Sequence, residues 1–405
     1  MSDHLPTDVI TDILSRLPVK SLMRFRCVSK ACYSLISSPY FISAHLNRSL
    51  SNSQHPPSLF VSRFDNNYSD VKHTLLLYLD QEVEQKGDFF ASPSHSIQLR
   101  GLQQSMKLDL LHLVGSSNGL LCLATTVFNN VRGLCVLWNP SIQKAISLPE
   151  PNLGLSHHSV GFGYEPTTDD YKLVRLVYPS NSEGIDDVFF NIIPPLVEIY
   201  TLRTGVWRSI AGPGPPYLIK WWYSSVFVNG AVHWPANTPR CQGSFRNVIV
   251  SFNMKDETFG EVVMPESLQR LEDLNVNVAL VDGLLALVPL NKFGNEASQA
   301  VWVMKEYGVA ESWTKPFDVR IGGFQRVIGF TKRGEVLVHK DGRLFSFGPS
   351  SRGYLDLPIG GPQEIYVDTY VESLVLLNIA GTGRIPGRQR NSFFSTEYNR
   401  RSPGW

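Results

Sequence analysis

The chain has 405 residues, 43% hydrophobic and 18% charged, with 37 Lys and Arg against 36 Asp and Glu and a formal net charge of +1. This is an ordinary folded composition with room for one large domain and one small one, and it argues against a general binder of nucleic acid or membrane surfaces. The longest apolar run, 276–290, is broken by Asn277, Asp282, Gly283 and Pro289 and is too short to span a bilayer, and charges and Pro6 stand where an N-terminal signal would be apolar.

The first predicted elements are three short helices. Leu5, Val9, Ile13 and Leu17 recur every four residues, and Ile10 and Leu14 fill the adjoining row. These six are expected on one helical stripe, with Thr11, Asp12, Ser15 and Arg16 opposite. Asp8 suits the positive end of the helix dipole, and Asp12 can pair with Arg16 one turn on. Pro18 ends the helix. A second helix carries Val19, Leu22, Phe25 and Val28, and a third runs from about Ser29 to Ile36, before Pro39. So small a helical module cannot bury all of these side chains by itself. The surplus calls for an outside helix or groove, or for the main domain beneath a helical cap.

Residues 47–58 are polar, contain Pro56 and Pro57, and read as a linker. Beyond them the pattern changes to short alternating strands. A turn residue plus glycine precedes an apolar strand four times, at Asn118-Gly119, Asn229-Gly230, Asp282-Gly283 and Arg333-Gly334. Successive glycines are 111, 53 and 51 positions apart, so the first interval holds two periods and the missing unit lies at 160–210. Each unit adds an aromatic outer strand such as Val136-Leu137-Trp138 or Val301-Trp302-Val303, and a closing strand such as Ile146-Ser147-Leu148-Pro149 or the one opening at Trp313. About four strands in about 50 residues is a kelch-type propeller signature. Five units are visible between about 110 and 358, and a sixth can be assembled from 371–377 with the early strands 59–64 and 74–79. Pairing the two ends would close the ring and remove exposed edges. Six blades are therefore expected, with an open two-sheet β-sandwich as the alternative.

Other motifs resolve into structure. Gly115-Ser116-Ser117-Asn118-Gly119 matches a nucleophile elbow, but strand-like residues on both sides make it a hairpin. His157-His158 has no further ligand at metal spacing. His233 falls in an inner strand as a hydrogen-bonded core histidine, and Asp169-Asp170 suits a turn; Asp186-Asp187 is a second adjacent pair in a loop. The five cysteines, Cys27, Cys32, Cys122, Cys135 and Cys241, include no Cys-x-x-Cys and read as free thiols of a reducing compartment, placing the chain in cytosol or nucleus. Trp221-Trp222-Tyr223 cannot all face one side of a strand, so an exposed member is a candidate substrate anchor, against the alternative of packing between blades. Residues 381–405, with Arg384, Arg388, Arg390, Arg400 and Arg401, read as a disordered basic tail.

The order Leu5-Pro6, Asp8, Ile10, Ile13-Leu14, Arg16-Leu17-Pro18, then Val28-Ser29-Lys30, resembles an F-box. Gly161-Phe162-Gly163-Tyr164 followed by Asp169-Asp170-Tyr171-Lys172-Leu173-Val174-Arg175 resembles the hallmark of the plant F-box-associated domain. Trp138-Asn139-Pro140-Ser141, and Trp302 to Tyr307 with Ser312-Trp313-Thr314-Lys315, resemble its other signatures. Both modules together cover roughly 4–377, and the group is similar to the plant F-box/kelch set that includes immune-receptor regulators and S-locus F-box proteins. The resemblance implies a mainly β chain: a three-helix F-box (1–46), a linker (47–58) and a kelch-like β-propeller (59–380). It implies a non-enzymatic subunit of an SCF-type ubiquitin ligase, without cofactor, whose F-box binds a Skp-type adaptor and through it a cullin. The adaptor surface would be carried by Leu5, Pro6, Ile10, Ile13, Leu14, Leu17, Pro18, Leu22, Phe25 and Val28, and the propeller would hold a target protein. Immune receptors and pollen-recognition ribonucleases are conceivable targets on the same resemblance. Two other classes remain: a propeller that binds protein or carbohydrate outside any ligase, and a copper-oxidase-like enzyme, which needs a histidine cluster near the ring axis. The family pattern has Trp where this chain has Cys32. The missing surface is expected to weaken adaptor binding, with Tyr33 filling part of the gap.

Overall fold

Prolines and serines set the helix starts. Pro6 and Pro18, both in extended backbone, precede α1 (Thr7–Ser15) and α2 (Val19–Phe25). Ser29 caps α3 (Lys30–Ile36) by accepting the Cys32 amide at 3.1 Å. Ser38 does the same for the Phe41 amide, at 3.2 Å, at the start of a fourth helix, α4 (Pro39–Ser51). The helical module therefore has four helices rather than three, and α4 runs into the stretch expected to be linker. Its Phe41, Ile42, His45 and Leu46 are buried, a spacing that packs one helical face.

The computed structural model describes residues 6–51, 58–67, 70–79, 95–98, 111–125, 135–153, 158–179, 194–219, 225–239, 245–271, 276–289, 298–320, 325–331, 335–340, 342–348, 355–360 and 364–379. Leu5, Trp221, Trp222, Tyr223, His157, Asp186, Asp187, Cys241, Arg333, Gly334 and the basic tail lie outside them.

Among the described residues the strands form six antiparallel sheets. Five come each from one stretch of sequence. Sheet II joins Leu111–Ser117, Leu120–Thr125, Cys135–Asn139 and Lys144–Ser147. Sheet III joins His158–Glu165, Asp170–Val177, Leu196–Thr201 and Val206–Ser209. In sheet IV, Leu218–Ile219 and Val226–Val228 both pair with Ala231–Asn237, followed by Asn247–Asn253 and Phe259–Val262, after which a one-turn helix, α5 (Glu266–Gln269), leads away. Sheet V holds Val276–Val281, Leu284–Pro289, Ser298–Met304 and Trp313–Arg320, and sheet VI holds Gln325–Phe330, Val336–Lys340, Arg343–Phe347 and Leu355–Gly360. Sheet I unites the two ends: Glu364–Tyr370 pairs with Ser58–Asn67, which continues into Asp70–Leu79 and His95–Gln98. The innermost strands touch in cyclic order from sheet I through sheet VI and back, so the sheets close into a β-propeller rather than stacking as a sandwich.

The closing strand is Glu364–Tyr370, with Phe60 opposite Asp368, and not the apolar run 371–377. Ser373, Leu374, Val375 and Leu376 are all buried in succession, and Leu376 has φ +72°, so this run is a turn packed on both sides. The hairpin repeat holds at Asn118-Gly119, Asn229-Gly230 and Asp282-Gly283, where both residues have positive φ as a two-residue hairpin requires. The serines of the elbow-like motif thus belong to a strand and its hairpin.

Packing between neighbouring sheets explains the glycines of the domain hallmark. A Cβ on Gly161 would lie 2.2 Å from Trp234 Cζ2, and one on Gly163 would lie 2.4 Å from Phe227 Cδ2. Only bare backbone lets sheet IV approach sheet III this closely. The indole of Trp234 also donates to the Val160 carbonyl at 3.2 Å. Two tryptophans at the starts of outer strands, one first and one second in its strand, tie their sheet to the preceding one in the same way. Trp207 Nε1 donates to the Pro149 carbonyl at 2.8 Å, and Trp313 Nε1 to the Val263 carbonyl at 2.9 Å. Within sheet III, Arg175 stands opposite Glu198 and forms a buried ion pair at 2.9 Å. The same two side chains bond the carbonyl and amide of Leu153.

Candidate functional site

Helix α1 is turned inside out. Its buried side carries Thr11, Leu14 and Ser15, while Val9 and Ile13, one turn apart, are 43% and 49% exposed. At the end of α2, Phe25 is 42% exposed, and Val28 just beyond is 70% exposed. Of the twelve exposed large hydrophobic side chains among the described residues, seven belong to this module. The single stripe expected from spacing is thus split: part of it seals the module, and part is left facing solvent.

The remaining expected contact residues divide accordingly. Pro6 and Pro18 are exposed, while Ile10 and Leu17 lie half-buried at the edge of the helical core. Leu14 and Leu22 do not reach the surface. They pack with Val19, Ile36, Phe41, Ile42 and Leu374 and hold the helices together beneath the exposed members of the set. Spacing shows which residues share a face but not which neighbour covers it. Two exposed residues escaped the sequence reading, Tyr40 and Leu50, which stand off the core positions of α4.

Cys32 is half-buried at the edge of the same core. Tyr33 does not fill space beside it: its ring is exposed, with the Arg26 guanidinium 4.5 Å from the ring centre. The charged flank of α1 is organised by Asp12, which accepts from Arg16 at 2.7 Å and from Arg48 of α4 at 2.8 Å. Those hydrogen bonds, the one to Arg16 first, hold the Asp12 carboxyl below its ordinary pKa. Such exposed pairs orient side chains more than they stabilise the fold.

The propeller carries no comparable constellation of reactive groups among its described residues. His233 is buried, and its Nε2 meets the Tyr307 hydroxyl at 2.7 Å. Burial, above all, brings the His233 imidazole down to about 4. Asp169 occupies a turn with φ +51° and accepts from Tyr164, and Asp170 accepts the amides of Tyr171 and Arg203. No group of three or more His, Cys, Asp or Glu is placed to hold a metal ion, and no helix is long and apolar enough to cross a membrane, among the described residues.

Comparison with known proteins matches the two modules separately. Residues 2–43 fit the F-box domain, and residues 74–341 fit the F-box associated beta propeller domain. The chain belongs to the F-box proteins with an F-box-associated propeller. The F-box match spans α1 to α3 and enters α4, so the solvent-facing apolar residues of α1 and α2 are F-box residues. F-box protein CPR1 of Arabidopsis thaliana is 30% identical over 335 residues, covering 78% of this chain and 73% of the relative. F-box protein At4g22390 of the same plant is 27% identical, covering 92% and 90%. The Arabidopsis F-box/kelch-repeat protein At3g23880 is 28% identical, covering 77% and 78%.

Proposed function

We propose that this F-box protein is the substrate-recognition subunit of an SCF-type ubiquitin ligase in the cytosol or nucleus. Its F-box binds a Skp-type adaptor, and its propeller holds a target protein for ubiquitination. The observation that carries this reading is the inverted α1, with Thr11 and Ser15 inside and Val9 and Ile13 outside. Burying such side chains is worth about 1.5–3 kcal/mol each when complete, and no described residue of the chain covers Val9 or Ile13. An apolar partner surface gains what the chain leaves uncovered. The chemistry is then proximity: the target and the ubiquitin-charged enzyme are held in one assembly, and no residue of this chain forms a covalent bond.

Reconstitution tests the reading. The full chain, a plant Skp-type adaptor and a cullin are expected to co-elute in size-exclusion chromatography. A Phe25→Asp/Val28→Asp variant that still melts cooperatively is expected to elute alone. Failure of the wild type to co-elute would leave the propeller as a binding module outside any ligase.

A further inference from the structure

The last described residues, 371–379, are wedged between the F-box and sheet II. Toward the helices, Glu372 Oε2 accepts the Val19 amide at 3.2 Å across 353 positions of sequence. That amide opens α2, where no carbonyl of the same helix can reach it. Leu374 is fully buried in the F-box core, beside Leu14, Val19 and Leu22, and Leu377 packs at the edge. Toward the propeller, Val375 and Leu376 join the cluster of Leu120, Cys122 and Leu137, which Leu46 of α4 also enters. Asn139 Nδ2 donates to the Ser373 carbonyl at 3.0 Å and to the Val375 carbonyl at 2.8 Å. Lys144 Nζ donates to the carbonyls of Leu376, at 2.8 Å, and Ile379. Gly119 lets the segment pass, since a Cβ there would lie 2.2 Å from the Val371 carbonyl oxygen.

We propose that residues 371–379 are a clip that makes the F-box and the propeller one rigid body, with Glu372 and Leu374 as its positioning residues. Modules joined by a linker move relative to each other unless a substantial apolar contact stops them. Here the far end of the chain, directly after the strand that closes the ring, packs on both modules, beside a direct contact through Leu46 of α4 and Ile142 of the propeller. The coupling is a property of the chain alone. Its consequence, a fixed span between adaptor and bound target, rests on the ligase reading.

The test uses the full chain without adaptor, so its failure is separate from failure of that reading. Spin labels are carried on unnatural residues at the exposed positions Ser34 of α3 and Ser147 of sheet II. Pulsed distance measurement is expected to give one narrow population in the wild type. In Glu372→Ala/Leu374→Ala it is expected to broaden while the propeller keeps its unfolding transition. Amide exchange at Val19 supplies a milder arm. Glu372→Ala removes a hydrogen bond to a charged acceptor and is expected to speed exchange about tenfold or more. Glu372→Gln keeps an acceptor oxygen and is expected to stay near the wild type. A broad population in the wild type, a narrow one in the double variant, or unchanged Val19 exchange in Glu372→Ala would overturn the proposal.

Discussion

Adding one methyl group at Gly161 is expected to be among the costlier small changes in the propeller. The new Cβ would meet Trp234 Cζ2 at 2.2 Å, Val232 Cγ1 at 2.6 Å and Trp234 Cη2 at 2.9 Å. Carbon atoms settle at about 3.5–4.0 Å, so the indole must retreat by roughly 1.3 Å. It has nowhere to go. Trp234 is fully buried among Val174, Leu176, Val248 and Val250, and its Nε1 is bonded to the carbonyl of Val160, the residue before Gly161. Overpacking of this kind costs about 1–3 kcal/mol, and a lost indole hydrogen bond adds about 1 kcal/mol. A total of about 3 kcal/mol corresponds to a fall in Tm of roughly 4–5 °C for a domain of more than about 300 residues. Gly115 supplies the control. Its nearest foreign atoms, the Ser225 carbonyl and hydroxyl oxygens, would sit at 3.7 Å from a Cβ, and its φ is not positive. Gly115→Ala is therefore expected to be neutral or to stabilise by about 0.4–1 kcal/mol through the unfolded chain. Thermal unfolding followed by circular dichroism compares the two variants with the wild type. Equal melting temperatures for Gly161→Ala and Gly115→Ala would refute the reasoning that sheet contact demands this glycine.

Three further outcomes follow from the same geometry. The buried His233 stays neutral in the folded chain down to about pH 4, whereas its ordinary pKa is 6.5. The unfolded chain therefore binds more protons in that window, so stability falls as pH drops from 6.5 toward 4, and His233→Gln is expected to flatten this limb of the Tm profile. Glu198→Ala leaves the Arg175 guanidinium buried without its carboxylate and is expected to cost about 3–5 kcal/mol by denaturant titration, while Arg175→Met/Glu198→Leu should recover most of the loss. Cys32→Trp restores the residue type of the family pattern at the edge of the helical core and is expected to tighten adaptor binding severalfold by calorimetry; an unchanged affinity and Tm would show that the position bears on neither.

The parts of the fold legible in the sequence are those set by local chemistry. Pro18 ends α1 whatever surrounds it, and Asn-Gly or Asp-Gly between apolar strands imposes left-handed backbone at 118–119, 229–230 and 282–283. The ring follows from the repetition of those units. What was hidden depends on contacts distant in sequence. The apolar run 371–377 looks like a strand because strands and buried turns use the same residues. Only the approach of α2 and sheet II from opposite sides makes it a clip. Leu14 and Leu22 could not be separated from Ile13 and Phe25 by spacing, since the covering neighbour, Leu374, lies more than 350 positions away. Helix α4 was legible in principle, from Ser38-Pro39 and the buried spacing of Phe41, Ile42, His45 and Leu46.

The most direct measurement is calorimetric titration of the full chain with a plant Skp-type adaptor, beside an Ile13→Asp variant. Ile13 is half exposed, so the substitution leaves the helical core intact. At a dry contact it forfeits roughly 1 kcal/mol of apolar burial and strands a carboxylate at a cost of several kcal/mol. An affinity loss of about 100-fold or more is expected, since each 1.4 kcal/mol is a factor of ten. Tight binding by the wild type, lost in Ile13→Asp at unchanged Tm, is the expected result. Equal affinity of the two, or no binding by the wild type, would contradict the assignment of the inverted face of α1 to an adaptor.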